Sequence, residues 1–375
     1  MPALLPQPDP QGLLEYSVVY TDRSLNHMSQ RFQGVMREIS RVLKTVYHAR
    51  SAVIVPGSGT FGMEAVARQF ATGKKCLVIR NGWFSYRWSQ IFEMGAIPSE
   101  TRVLKARRVG TNSQAPFAPV PIDEVVAAIH EYRPDLVFAP HVETSAGILL
   151  PDDYLRAVGS AVREVGGLFV LDCIASGTVW VDMGANDVDV LVSAPQKGWS
   201  GPPCCALVAL GERARTRIDG TTSTSFACDL KKWLQIMEAY EAGGHAYHAT
   251  LPTDALTAVL DVMLETERYG FERVRLEQQT LGRQVRELLA ARGFKSVAAP
   301  GFEAPGVVVS FTTDPELQSG KKFLGVGLQI AAGVPLQCDE GPDYRSFRIG
   351  LFGLDKLHNA PRSVKSLEDA LSRLG

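Results

Sequence analysis

The chain has 375 residues, and its 39 lysines and arginines nearly balance its 40 aspartates and glutamates, which gives a formal net charge of −1. A chain so close to neutral has no electrostatic field to attract nucleic acid or an anionic membrane surface. With 45% hydrophobic and 21% charged residues, it is neither disordered nor fibrous, and it is long enough for a core that divides into two domains.

The first thirty residues do not show the pattern of a secretory signal, a basic stretch followed by an apolar one. The apolar residues Leu4 and Leu5 are soon followed by prolines. The longest uncharged stretch, residues 323–338, contains three glycines and a proline, which suits a loop-interrupted core segment better than a membrane span. The six cysteines are scattered without metal-ligand spacing. We therefore expect a soluble, cytoplasmic protein with reduced cysteines and no metal site.

In chain order, the first predicted element is an amphipathic helix, because six apolar residues alternate at steps of three and four. They are Met28, Phe32, Val35, Ile39, Val42 and Val46. Short apolar runs follow, separated by helical patterns, at residues 52–55, 77–79, 136–139, 168–171, 188–192 and 205–210. Runs of this length without alternation are typical of strands covered on both faces, so the pattern predicts a mainly parallel α/β sheet.

The pattern changes after about residue 252. A long connecting helix is predicted from near Thr253 through Leu289, and strand-like pieces at 307–311 and 347–351 precede a final helix near 364–374. We expect an N-terminal segment (1–25), a large domain (26–255), and a connecting helix with a small C-terminal α+β domain (256–375). Residues 115–121 contain three prolines and are predicted to form a surface loop.

A glycine-rich turn at residues 57–62 follows an apolar run and opens a helical segment. Such a turn exposes backbone N–H groups at the positive end of the helix dipole, so it suits a phosphate. Its spacing matches the dinucleotide fingerprint, which also requires an acidic residue about twenty positions later, whereas here the next strand ends at Arg80. Since an arginine could accept a phosphorylated ribose, an NADP-binding reductase stays open, and so does a turn without a ligand.

Two later apolar runs end in chemically useful residues, Asp172 and Lys197. In a parallel sheet both side chains reach the carboxyl edge, where ligands of such folds bind and where the glycine turn also lies. Taken singly, Asp172 could cap a helix and Lys197 could be a solvated charge. Together they fit pyridoxal phosphate, which needs a lysine for its aldehyde, a carboxylate for its ring nitrogen and an anion site. The freed lysine amine would also serve as general base at the substrate Cα.

Further motifs accompany these residues in a characteristic order. They are N-G-W-F with Arg87 at 81–87, H-V-E-T-S-A-G at 141–147, A-P-Q-K at 194–197, Y-H-A-T-L-P at 247–252 and R-I-G at 348–350. The ordered set resembles the class V aminotransferases of the fold-type I pyridoxal-phosphate superfamily, nearest to alanine–glyoxylate and serine–pyruvate aminotransferases. The resemblance extends from about residue 26 to residue 353 and implies that family's fold, a mainly parallel central sheet with a smaller C-terminal domain.

The resemblance also implies roles for individual residues. Lys197 would be the Schiff-base lysine and Asp172 the partner of the pyridine nitrogen. Further cofactor contacts are implied for Ser58, Gly59, Thr60, Phe84, Thr144 with Ser145 beside it, Gln196 and, from a neighbouring subunit, Tyr247 and Thr250. Arg348 would pair with the substrate carboxylate, and Asn26 is a second candidate for substrate binding. The match at 247–252 implies a homodimer with shared active sites.

Three departures from the family pattern concern the substrate end of the site. Residues 4–12 read LLPQPDPQG instead of a G-P-G-P-like opening, Pro195 replaces a common serine, and Cys173-Ile174 replaces a small residue and valine. None of these changes alters Lys197 or Asp172. They leave the substrate assignment open.

These observations predict transamination from a small amino acid, such as alanine or serine, to glyoxylate or pyruvate by ping-pong kinetics. Within the superfamily, 2-aminoethylphosphonate transamination and cysteine desulfuration remain alternatives. A phosphonate would call for extra basic groups, and a desulfurase is expected to carry histidines where this chain has Gln196 and Phe84. Cys338 is interpreted as an incidental loop thiol, since no activating base can be placed beside it. A reductase, or a protein that binds the cofactor without chemistry, would belong to a different class.

Overall fold

The structure is a computed structural model that describes residues 5–374, so residues 1–4 of the expected N-terminal segment and residue 375 lie outside the described residues. The helices are α1 (Gln30–Tyr47), α2 (Gly59–Phe70), α3 (Trp83–Gly95), α4 (Ile122–Tyr132), α5 (Asp152–Glu164), α6 (Glu212–Ile218), α7 (Leu230–Glu241), α8 (Thr253–Tyr269), α9 (Phe271–Ala291), α10 (Pro315–Gln318), α11 (Lys321–Gly325), α12 (Leu354–His358) and α13 (Ala360–Leu371). The strands are β1 (Ser51–Pro56), β2 (Lys75–Arg80), β3 (Glu100–Lys105), β4 (Arg107–Arg108), β5 (Phe117–Ala118), β6 (Leu136–Pro140), β7 (Val142–Glu143), β8 (Ile148–Leu149), β9 (Leu168–Asp172), β10 (Val190–Ser193), β11 (Cys205–Leu210), β12 (Val307–Phe311), β13 (Ala331–Ala332) and β14 (Ser346–Gly350).

Helix α1 confirms the predicted amphipathic helix. Ser29 caps its N-terminus by accepting a hydrogen bond from the backbone N–H of Phe32 at 3.1 Å. The stripe from Phe32 to Val46 is buried, whereas Met28 precedes the helix and is exposed. Among residues 5–374, no helix combines the length and the apolar character that crossing a bilayer requires.

A seven-stranded sheet forms the centre of the molecule, in the order β1-β11-β10-β9-β6-β2-β3. Only β11 runs antiparallel to its neighbours, so the sheet is mainly parallel as predicted. All six predicted apolar runs form strands of this sheet, because their residues are buried on both faces. The edge strand β3 was not predicted, since its sequence ETRVLK is polar and partly exposed.

The strand directions create a single edge for ligands. Strands β1, β2, β6, β9 and β10 all point the same way, so the segments that follow them meet at the carboxyl edge. Strand β1 is the outermost strand on one side, and α2, which follows it, packs against β11 and β10. The start of α2 therefore lies near the centre of the carboxyl edge, where Gly59 approaches Ile174 and Ala194.

A second, antiparallel sheet has the order β12-β14-β13 and packs against α9. Its core includes Val274, Leu281, Val308 and Phe347. The predicted connecting helix is in fact two helices, because Gly270, with φ of 106°, separates α8 from α9. The division into domains at residues 25 and 255 stays a prediction.

The prediction of a surface loop at residues 115–121 was wrong for its apolar residues. Phe117 and Val120 are both 1% exposed. The backbone N–H of Phe117 donates to the carbonyl oxygen of Val297 at 2.7 Å, so the segment is paired with the chain beyond α9. The prolines indicated a break in regular structure, but burial depends on that distant partner.

Candidate active site

The N-terminus of α2 lies at the carboxyl edge with its first turn against the ends of β9 and β10. A Cβ atom on Gly59 would lie 2.5 Å from Cδ1 of Ile174 and 3.3 Å from Cβ of Ala194. Only glycine therefore permits this close approach. Ser58 occupies the N-cap position, and its hydroxyl forms no capping hydrogen bond with the helix. The turn thus combines first-turn N–H groups with an available hydroxyl, as an anion site requires.

Asp172 ends β9 and is buried, with 7% of its surface exposed. Its Oδ1 atom accepts a hydrogen bond from the backbone N–H of Ile174 at 2.9 Å. Burial raises the pKa of Asp172 to about 6; the charge of Glu143 acts in the same direction, whereas the Ile174 N–H and the charges of Lys197 and Arg87 oppose it. This carboxylate would be stabilised by a cationic partner such as a protonated ring nitrogen.

Lys197 follows β10, the strand beside β9, and burial lowers the pKa of its amine. The charge of Asp172 opposes that change, while those of Arg87 and Arg348 add to it. Since β9 and β10 are parallel neighbours, Asp172 and Lys197 lie at the same edge of the sheet, where the charge of each affects the pKa of the other. A lysine whose pKa is lowered has more neutral amine, which is the nucleophilic and basic form.

Phe84 is in the first turn of α3, and two arginine side chains lie near its ring. The Cζ atoms of Arg87 and Arg348 are 5.3 and 5.4 Å from the centroid of its ring. Arg87 Nη1 donates to Thr60 Oγ1 at 2.9 Å, and Arg348 Nε donates to the carbonyl oxygen of Ala332 at 2.8 Å. These partners are neutral, so both guanidinium groups keep a charge that can bind an anion.

Two further predicted cofactor contacts lie beside this group. Thr144 follows β7 and is buried, and the Oε1 atom of Gln196 is buried without a hydrogen-bond partner among residues 5–374. Because a glutamine amide can turn by 180° and exchange the positions of its oxygen and nitrogen, Gln196 can offer an N–H donor to a bound group. His141 Nδ1 lies 2.7 Å from Ser176 Oγ, and burial lowers the pKa of His141 to about 4, so its ring is neutral.

Tyr247 and Thr250 lie together but outside this group. The Tyr247 hydroxyl is 3.2 Å from Thr250 Oγ1, both residues are exposed, and 54% of the Tyr247 surface is accessible. Their segment precedes α8, and their hydroxyls bond to each other rather than to the turn of their own chain.

Asn26 is placed within the N-terminal segment. Its Nδ2 atom donates to Glu15 Oε2 at 2.6 Å and to Ser17 Oγ at 3.1 Å, and its Oδ1 atom accepts from the Met28 N–H at 2.8 Å. None of these hydrogen bonds reaches Arg348 or Lys197. Its role in substrate binding therefore stays a prediction.

Sequence reasoning assigned no role to Glu143 or Arg87, although both lie in the quoted motifs. Arg87 links the glycine turn to Phe84, and Glu143 accepts hydrogen bonds from the backbone at Phe84 and Ser85. The only signal for either was its position inside a motif at a strand end. The partners that give it a role come from other segments.

The residues at this edge fit pyridoxal phosphate. They supply a partly buried lysine, a buried carboxylate on the neighbouring strand, a helix N-terminus with free hydroxyl and amide groups, and an aromatic ring. A bound partner would stabilise the buried charge of Asp172 and would supply the hydrogen bond that the Gln196 amide lacks.

Comparisons with known proteins agree with this chemistry. No family model matches the chain. It is similar to the alanine–glyoxylate aminotransferase of Rattus norvegicus, 26% identical over 93% of this chain and 82% of that relative. It is also similar to the small subunit of a soluble hydrogenase from a Synechococcus species, 25% identical over 99% of this chain and 92% of that relative.

Among solved structures, the alanine–glyoxylate aminotransferase of a Nostoc species superposes with a TM-score of 0.80 and 22% identity, over 93% of this chain and 89% of that one. Aminotransferases of this fold family use pyridoxal phosphate. The chain therefore has the fold-type I architecture of the pyridoxal-phosphate aminotransferases, and its curated relatives and structural neighbours include alanine–glyoxylate aminotransferases and related class V enzymes.

Proposed function

We propose that this protein is a pyridoxal-phosphate-dependent aminotransferase that moves an amino group from a small amino acid, such as alanine or serine, to glyoxylate or pyruvate by ping-pong kinetics. The observation that carries the proposal is the position of buried Asp172 at the end of β9 and of partly buried Lys197 after the neighbouring strand β10, at the sheet edge where α2 begins. When bound, pyridoxal phosphate supplies an aromatic ring that withdraws electrons from the substrate Cα. Holding, orienting and proton transfer must come from the chain.

Lys197 and Asp172 divide the proton chemistry between them. Lys197 would hold the cofactor through its aldehyde, and its amine would be the general base for the proton at the substrate Cα. Its lowered pKa favours the form that accepts this proton. Asp172 would keep the ring nitrogen in its protonated form by charge and hydrogen bonding.

The phosphate end is held by α2 and its neighbours. The first-turn N–H groups and the hydroxyls of Ser58 and Thr60 provide neutral donors, and Gln196 adds an amide. Arg87 donates to Thr60 and thereby brings a positive charge to this end. Phe84 would supply an aromatic ring to pack against the cofactor ring.

Arg348 is the proposed ligand of the substrate carboxylate. Its planar group can form two parallel hydrogen bonds with a carboxylate, and its side chain already lies beside Phe84. The relative named for alanine and glyoxylate supports small substrates at this position.

We also propose a homodimer in which Tyr247 and Thr250 of one subunit reach the phosphate in the other. Their exposure, and the pairing of their hydroxyls with each other, leave them available to a neighbouring subunit. Phe61 at the glycine turn and Phe226 are also exposed, which gives this region apolar surface to bury. All six cysteines are free, in agreement with the cytoplasmic location that the sequence predicts.

The alternatives fit the site less well. In the dinucleotide-binding fold the glycine turn follows a central strand, whereas β1 is an edge strand here. A desulfurase needs a reactive thiol, but burial raises the pKa of Cys338 to about 12 and its Sγ lies 3.4 Å from the Arg80 carbonyl oxygen. Nothing in the geometry favours the activity named for the hydrogenase subunit.

The test is a spectral titration of the purified protein with the twenty amino acids. We expect a visible absorption band that borohydride fixes at Lys197, and that small amino acids shift by converting the cofactor to its amine form. Glyoxylate or pyruvate should reverse the shift. A protein that fails to bind pyridoxal phosphate, or that binds NADPH instead, would overturn the proposal.

A further inference from the structure

Glu143 is a buried carboxylate that the proposed mechanism does not use. It ends the short strand β7 and has no exposed surface. Its hydrogen-bond partners are all neutral groups rather than cations. A buried charge is costly unless hydrogen bonds compensate it, so this arrangement requires an explanation.

Five donors surround the Glu143 carboxylate. Oε1 accepts from the backbone N–H groups of Phe84 at 3.2 Å and Ser145 at 3.1 Å and from Ser145 Oγ at 2.7 Å. Oε2 accepts from the Ser85 N–H at 2.8 Å and from Ser85 Oγ at 2.7 Å. Because every neighbouring position is a donor, an amide group here would set its own N–H against another N–H.

These hydrogen bonds fix the beginning of α3. The first N–H groups of a helix lack partners within it, and a negative charge at that end is favourable. Glu143 takes two of them directly, and Ser145 Oγ accepts a third, from Trp83, at 2.9 Å. A Cβ atom on Gly82 would lie 2.7 Å from Cγ of Glu143, so the helix begins in direct contact with this side chain.

The charge of Glu143 also reaches other members of the site. It contributes to the raised pKa of Asp172, and it opposes the burial that lowers the pKa of Arg348. The carboxylate is therefore close enough to act on the two ends of the proposed cofactor and substrate site. The backbone it holds carries Phe84, whose ring contacts both Arg87 and Arg348.

We propose that Glu143 is a positioning residue, whose carboxylate fixes the first turn of α3 and thereby holds the Phe84 ring where it covers the cofactor. This inference rests on the proposed function. It assigns to Glu143 an effect on cofactor binding that passes through Phe84, in addition to any effect on stability.

The test compares Glu143→Gln with Asp189→Asn. Asp189 is the control, since it is also buried and accepts a backbone hydrogen bond, from Phe169 at 2.8 Å, but it pairs with Arg213 and lies at the opposite edge of the sheet. Both variants should lower the melting temperature. Only Glu143→Gln should weaken the binding of pyridoxal phosphate, by about tenfold or more, and reduce the visible circular dichroism of the bound cofactor. Equal affinity and dichroism in Glu143→Gln and the wild type would overturn the inference.

A double-mutant cycle with Phe84→Leu tests the route of the effect. If Glu143 acts through Phe84, Glu143→Gln should change cofactor affinity little once the ring is absent. A full, additive loss in the Phe84→Leu background would show that Glu143 acts by another route and would contradict the proposal.

Hydrogen exchange of the cofactor-free protein separates this inference from the proposed function. Glu143→Gln, and the milder Ser85→Ala if the first variant fails to fold, should speed exchange at residues 83–85, whereas Asp189→Asn should not. Unchanged exchange would overturn the inference about Glu143. If the wild type binds no pyridoxal phosphate, but Glu143→Gln still exchanges faster than the wild type at residues 83–85, the proposed function and the role of Phe84 would be overturned. The stabilisation of the first turn of α3 by Glu143 would then still be established.

Discussion

The guanidinium group of Arg348 lies over the ring of Phe84, with its Cζ atom 5.4 Å from the ring centroid. Arg348 belongs to β14 of the three-stranded sheet, whereas Phe84 begins α3, which packs against the seven-stranded sheet. The contact thus joins the two sheets at the candidate site. It places the proposed carboxylate ligand beside the proposed cofactor-covering ring.

Replacing Arg348 with lysine should damage substrate recognition more than cofactor binding. Lysine keeps the charge but cannot form two parallel hydrogen bonds with a carboxylate, a loss of about 1.5–3 kcal/mol. We expect kcat/KM for alanine to fall about 10- to 100-fold in Arg348→Lys, while the dissociation constant of pyridoxal phosphate stays within about twofold. Steady-state kinetics and equilibrium dialysis measure the two quantities. A variant with unchanged kcat/KM would remove Arg348 from the substrate site.

Asp172 should make the stability of the cofactor-free protein depend on pH. Its pKa in the folded protein, about 6, lies above the ordinary value of 3.8, so the stability it contributes is present below about pH 4 and is lost as the pH rises through about 6. Asp172→Asn does not titrate. Relative to that variant, the wild type should lose on the order of 3 kcal/mol of unfolding free energy between about pH 4 and pH 7.

Urea unfolding of both cofactor-free proteins across this range measures the difference. Comparing the pair cancels the titration of the other carboxylates, which both share. A difference that does not change with pH would mean that Asp172 is not a buried, destabilised carboxylate. Aminotransferase activity should in any case fall strongly in Asp172→Asn, because an amide cannot hold the ring nitrogen in its protonated form.

Gly59→Ala should weaken cofactor binding by displacing the start of α2. The added methyl group would lie 2.5 Å from Ile174 Cδ1 and 3.3 Å from Ala194 Cβ, so the Ile174 side chain and the first turn of α2 must move apart. We expect the affinity for pyridoxal phosphate to fall about tenfold or more. Gly34→Ala in α1 is the control, since a Cβ atom there meets nothing within 4 Å, and it should leave affinity unchanged and stabilise the helix slightly. Equal affinities in both variants would contradict the close packing of the glycine turn.

Shared active sites can be tested with mixed dimers. One subunit carries Lys197→Ala, and the other carries both Tyr247→Phe and Thr250→Ala, each with its own affinity tag. If the sites are shared, the mixed dimer contains one complete site and should recover about half of the wild-type rate at limiting pyridoxal phosphate, well above either parent. A rate equal to the mean of the two parents would show that each subunit uses its own Tyr247 and Thr250.

The strands and the principal chemical residues could be predicted because their signals are local. A strand covered on both faces must be apolar along its whole length, which revealed β1, β2, β6, β9, β10 and β11. Asp172 and Lys197 each follow such a run, and the carboxyl ends of parallel strands lie at one edge of the sheet. The parallel direction of the strands therefore sufficed to assign both residues to the same edge. The missed strand β3 is the exception that follows from the same rule, since it lies at the edge and is partly exposed.

The sequence by itself thus determined the α/β class, the carboxyl edge and two candidate residues, Asp172 and Lys197, that lie at or after the ends of neighbouring strands at that edge. Only the tertiary structure decided that β1 is an edge strand and that α2 packs against β11 and β10. It also decided that Phe117 is buried and that five hydrogen-bond donors surround Glu143. Each of these features joins segments that are far apart in the chain. Burial periodicity reports only on a residue's own element, whereas such contacts form when separate elements pack and their polar groups must find partners.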